Sequence, residues 1–155
     1  MTLPRPGVAI AVGGFAAGVF DLIGAFVVFA PAPPAVILRS IAAGLVGPAA
    51  ARAGGPATTA LGLLAHFTVA LGAAAVFVAA GRRVPALTQR VWLIGPLYGL
   101  AVFLVMNYVV IPWSAIGRYP GAWTDSTWQV LAIHLAGVGP PIVLAARRWA
   151  AGRSG

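Results

Sequence analysis

The stretch Leu61-Gly-Leu-Leu-Ala-His66-Phe-Thr-Val-Ala-Leu-Gly72 decides how this chain is read. It is an apolar run too pure for a water-facing helix, yet it holds His66, one of only two histidines, near its middle. The run extends from Thr58 to Ala80, is closed by Gly81, and is followed by Arg82 and Arg83. A helix needs about 20 mostly apolar residues to cross a bilayer, and this run has them. Glycine at the stop with cations just beyond suits a helix C-terminus in a headgroup layer. An ionisable side chain at such depth is expensive and by default marks function.

The rest of the composition agrees with a lipid environment. Of 155 residues, 61% are hydrophobic and 8% charged; soluble domains carry about 25% charged residues. The polar side chains are too few to cover a solvated globule. The length fits one membrane domain over residues 1–155. Every basic residue is arginine, and the only acids are Asp21 and Asp125. The arginines cluster at the ends of apolar runs rather than in a basic stripe interleaved with aromatics. They therefore orient a protein in a bilayer and argue against a nucleic-acid partner. Cysteine is absent, which excludes disulfides, thiolate zinc sites, iron–sulfur clusters and a cysteine nucleophile.

Three further runs have the length of a span: 7–30, 90–111 and 126–146. The first follows Arg5 as a signal peptide would, but it is too long for one and contains Asp21, so it reads as a retained span. Pro31, Pro33 and Pro34 stop it. Residues 35–46 form a short amphipathic helix with Leu38, Ile41 and Leu45 on one stripe and Arg39 and Ser40 as polar members. It is too short to span, so it is expected at the interface or on the bundle mouth, in the first extracytoplasmic loop. Gly47-Pro48 interrupts it, and Gly54-Gly55-Pro56 ends the segment. Gly95-Pro96 and Pro140-Pro141 interrupt the third and fourth spans. Between those spans, Pro112 to Asp125 reads as a loop of interfacial aromatics, Trp113, Tyr119 and Trp123. Ser126 and Gln129 have the spacing of a capping box. The expected fold is all-α, a polytopic bundle of four transmembrane helices. Arg5, Arg82, Arg83, Arg90, Arg147, Arg148 and Arg153 fall on one side; Arg39, Arg52 and Arg118 fall on the other. The richer side is expected to be cytoplasmic, with both termini there. Arg82, Arg83, Arg147 and Arg148 are topology signals able to hold anionic headgroups.

Polar residues inside the spans fall at a common height. His66 is eight residues in from Thr58, His134 eight in from Ser126, and Asp21 nine in from Ala30. At ~1.5 Å per residue all three lie roughly 12–14 Å from one surface. Asn107 sits somewhat nearer that surface. Gly14, Gly18, Asp21 and Ala25 share one face of the first span; Gly62, His66, Ala70 and Ala73 share one face of the second. Small-residue stripes let helices approach, so these polar groups should face protein.

Four readings of this layer follow. It can be structural, with Asp21 bonded to a histidine and His134 bonded to a carbonyl freed by Pro140 and Pro141, near Ala136 or Gly137. It can be a proton- or ligand-responsive site of Asp21, His66, His134 and Asn107, since histidine titrates nearest neutral pH and broken backbone can line a cavity. It can hold a divalent metal through His66, His134 and Asp21, or a haem b between the two histidines, with Gly62 and Gly137 making room; no cofactor is expected on balance. An enzyme acting on lipid is the weakest, because no nucleophile elbow, Walker loop or acidic metal cluster appears. Ser114 reads as a loop residue, and Tyr98, Met106 and Tyr108 as packing. The reading favoured is a non-enzymatic membrane protein, and the alternative a proton-coupled small-molecule carrier or sensor. A carrier would be a homo-oligomer or would join another membrane subunit, because four spans leave little room for a translocation path.

Several stretches carry a resemblance: Gly18-Val-Phe-Asp21-Leu-Ile, Ile41-Ala-Ala-Gly-Leu-Val-Gly47, Leu61-Gly-Leu-Leu-Ala-His66-Phe, Tyr98 with Met106-Asn107-Tyr-Val-Val-Ile-Pro112, and His134 before Gly137-Val-Gly-Pro140. In these the chain resembles a group of small uncharacterised bacterial inner-membrane proteins, broadly of the YagU type. The resemblance implies four spans in a bacterial cytoplasmic membrane and supplies no activity.

Overall fold

A computed structural model describes residues 4–150, and among these the chain is all-helical. In chain order the helices are α1 (Pro6–Val28), α2 (Pro34–Val46), α3 (Pro48–Ala53), α4 (Pro56–Arg83), α5 (Val91–Trp113) and α6 (Asp125–Ala150). Of these, α1, α4, α5 and α6 are long and apolar enough to cross a membrane. The first four helices each begin with a proline in the first turn. Its fixed φ suits that position, and the N–H it lacks would have no helical partner there.

Several ends differ from expectation, each for a local reason. α1 stops at Val28, with Phe29 and Ala30 already in a turn. α4 runs on through Gly81 to Arg83, because Gly81 is a buried packing position against Thr88 rather than a helix stop. Val84 ends it: a residue before proline is driven out of the helical region, and Val84 has φ −126° and ψ 83°. α5 includes Pro112 and ends at Ser114, whose Oγ donates to the Ile111 carbonyl at 2.7 Å. The capping box of α6 belongs to Thr124 and Thr127, two residues earlier than Ser126 and Gln129; Thr124 is extended and its backbone N–H donates to Thr127 Oγ1 at 3.2 Å. Pro96 sits inside α5 with the helix continuing past it. The irregular backbone lies instead in three widened π turns, Met106–Val110, His134–Val138 and Ala146–Ala150. The second directly precedes Gly139-Pro140-Pro141, where two successive helical donors are missing.

α1 packs between α4 and α6, α5 packs on α6, and α2 lies along α4. Glycines set these seams. Gly14 and Gly18 bring α1 against Leu71, Phe67 and Ala70 of α4, and Gly62 receives the backbone of α2 at Leu38. A Cβ on Gly99 would run into the His134 carbonyl oxygen. α5 reaches α4 through Tyr98, whose hydroxyl donates to the Ala73 carbonyl at 2.6 Å while its ring lies 4.7 Å from that of Phe77.

The outward surface is apolar: Phe15, Val27, Leu64, Val76 and Leu144 are all exposed. In water that would be costly; in lipid it is the expected surface. The Arg5 N–H donates to the Trp149 carbonyl at 2.6 Å, and Arg147 Nη1 reaches the Gln89 carbonyl at 3.4 Å. These ties gather the start of α1 and the end of α6 beside the α4–α5 link, so Arg5, Arg82, Arg83, Arg90, Arg147 and Arg148 share one end. Arg153 lies outside the described residues.

Candidate functional site

Asp21 of α1 lies between the two imidazoles. Its Oδ1 is 3.4 Å from His134 Nδ1 of α6, and its Oδ2 is 4.0 Å from His66 Nδ1 of α4. Gly18, one turn before Asp21, has no side chain, so α4 comes close enough for His66 Nε2 to reach the Gly18 carbonyl oxygen at 2.8 Å. His134 opens its π turn and points back along the helix, as helical side chains do. Its Nδ1 reaches the Val130 carbonyl at 3.0 Å. That partner is one turn before His134 and not the freed carbonyls near Ala136 and Gly137. The His134 ring also packs edge-on against Phe103, with centroids 5.6 Å apart.

The partners dictate where ring hydrogens sit. A carbonyl oxygen only accepts, so His66 donates from Nε2 to Gly18, and His134 donates from Nδ1 to Val130. The same His134 N–H faces Asp21. His66 Nδ1 is the nitrogen turned toward the other carboxylate oxygen, beyond direct hydrogen-bond distance. A second ring proton there would face an acceptor and not a donor. His66 Nδ1 is therefore the acceptor nitrogen of its ring.

The three side chains stand on the wall of a cavity of about 490 Å³. All four long helices border it, and α2 with Phe29 and Ala32 of the α1–α2 link forms its remaining wall. Ser40 and Asn107 supply the other polar groups, and the rest of the lining is apolar apart from backbone. Asn107 stays apart from the aspartate: its Nδ2 donates to the Phe103 carbonyl at 2.9 Å. Ser40 was legible only as a polar member of α2. Its place on the wall depends on α2 docking at Gly62, for which the small-residue stripe of α4 was the available signal.

Other expected residues lie elsewhere. Arg82, Arg83, Arg147 and Arg148 are at the far end of the bundle. Gly137, expected to leave room for a haem, faces the Phe20 side chain. The Asp21 carboxylate occupies the space between the two rings, where an iron would have to lie. Among the described residues no three His, Cys, Asp or Glu side chains are placed to hold a metal ion. No observation of geometry therefore favours the haem or metal reading. Compared with protein-family models, curated proteins and solved structures, the chain matches none.

Proposed function

We propose that this chain is a non-enzymatic protein of a bacterial cytoplasmic membrane that binds a small molecule inside its helical bundle. The ligand is mostly apolar and carries one hydroxyl or amine, held by Asp21, His66 and His134. One observation carries this reading: a carboxylate flanked by two imidazoles on the wall of an otherwise apolar cavity of about 490 Å³. Small-molecule sites are commonly about 300–1,000 Å³, mostly apolar, with a few convergent polar groups. A purely structural layer would account for the two histidine–carbonyl bonds but not for the space beside them. The excess of arginine at the α4–α5 link supports a cytoplasmic position for that end.

The second reading is a proton-coupled carrier or sensor using the same cavity. It is favoured by His66 Nδ1, which can accept a proton facing Asp21.

The test is mass spectrometry of small molecules extracted from protein captured in nanodiscs straight from the expressing membrane. Wild type should retain a non-lipid compound that Ala25→Phe, which fills the cavity, lacks. Identical extracts from the two would refute the reading.

A further inference from the structure

A second cavity, of about 500 Å³, lies at the end of the bundle away from the arginine-rich one. Arg39 of α2, Arg52 of α3 and Arg118 of the α5–α6 loop all line it. Specific hydrogen bonds bring these three elements together. The Ala115 N–H donates to the Gly44 carbonyl at 2.9 Å, which holds the Arg118 loop against α2. Arg39 Nη1 donates to the Gly54 carbonyl at 2.9 Å, which folds α2 back on the end of α3. Gly47, at φ 84°, makes the sharp turn between α2 and α3, a conformation that L side chains rarely adopt.

Three cations therefore converge without a counter-charge. The chain has only two acids, and both ion pairs among the described residues are those of Asp21 with histidine. Like charges held together repel, and an anion between them removes that cost. The guanidinium fork matches phosphate oxygens in geometry as well as charge. The hollow beside Arg82 and Arg83, by contrast, is lined among the described residues by those two and Ala79 of the same helix.

We infer that the Arg39–Arg52–Arg118 cavity is a binding site for a phosphate group, of the kind carried by acidic phospholipids and by soluble phosphate. The site is separate from the Asp21 cavity; Val36 and Ser40 of α2 border both.

The full chain in neutral detergent is titrated with phosphatidylglycerol, phosphatidylcholine or inorganic phosphate and read by native mass spectrometry. Phosphatidylglycerol should be retained in preference to phosphatidylcholine. Arg39→Gln, Arg52→Gln and Arg118→Gln should each weaken retention roughly five-fold, the factor expected for about 1 kcal/mol per basic residue near an acidic surface. Arg52→Lys, which keeps the charge but not the fork, should fall between wild type and Arg52→Gln, and Arg82→Gln should change nothing. Displacement of the lipid by inorganic phosphate would support the site with soluble phosphate as its ligand; retention against phosphate would support the lipid. Equal retention of the two lipids, or unchanged retention in Arg52→Gln and Arg118→Gln, whose side chains are exposed and whose folding is checked by circular dichroism, would overturn the inference.

Discussion

Asp21 Oδ1 and His134 Nδ1 lie 3.4 Å apart, joining α1 to α6 inside the bundle. The same ring nitrogen donates to the Val130 carbonyl at 3.0 Å, so the link to Asp21 is a close electrostatic contact beside that hydrogen bond. Interhelical polar contacts in membranes are worth about 0.6–2 kcal/mol. A double-mutant cycle of Asp21→Asn and His134→Gln, read by unfolding in detergent, should give a coupling energy within that range. Strictly additive variants would show that the two side chains do not interact.

The two histidines should be opposite tautomers when neutral. His66 donates from Nε2 to Gly18, and His134 donates from Nδ1 to Val130. Nitrogen-15 chemical shifts of the labelled rings report this directly. The same tautomer in both rings would mean that one of the carbonyl bonds is not formed.

Gly99 and Gly72 should respond oppositely to alanine. A Cβ at Gly99 meets the His134 carbonyl, whereas a Cβ at Gly72 has nothing within 4 Å. Gly99→Ala should cost about 1–3 kcal/mol through overpacking of the α5–α6 seam. Gly72→Ala should be neutral or stabilise by up to about 1 kcal/mol through helix propensity. Chemical unfolding of both variants in the same detergent checks the contrast.

Much of this architecture was legible in residue order. Long apolar runs announced four spans, and counting inward from their ends put Asp21, His66 and His134 at one height, where the structure brings their side chains together. The helix ends were less legible. Gly81 has the look of a stop but serves as a packing surface, and three hydroxyl residues around Thr124 compete to cap α6. Asn107 shows why height alone is insufficient: it faces the cavity but spends its donor on its own helix, at Phe103. The cavity itself was not legible, because it exists only once α2 docks on α4 at Gly62. Nor was the meeting of Arg39, Arg52 and Arg118, which depends on the turn at Gly47 and the Gly44–Ala115 bond.

The chain has no cysteine, so single cysteines can be read without background. Thiolate is the reactive form and needs a polar, accessible setting. The most direct test of a solvated cavity beside Asp21 is the labelling rate of Ala25→Cys and Asn107→Cys by a small water-soluble thiol reagent, against Ala74→Cys in the packed core, where Ala74 is fully buried. Both cavity positions should react at least about ten-fold faster than the core position, since cysteine reactivity follows access and thiolate fraction. Labelling as slow as that of Ala74→Cys at both would contradict the account.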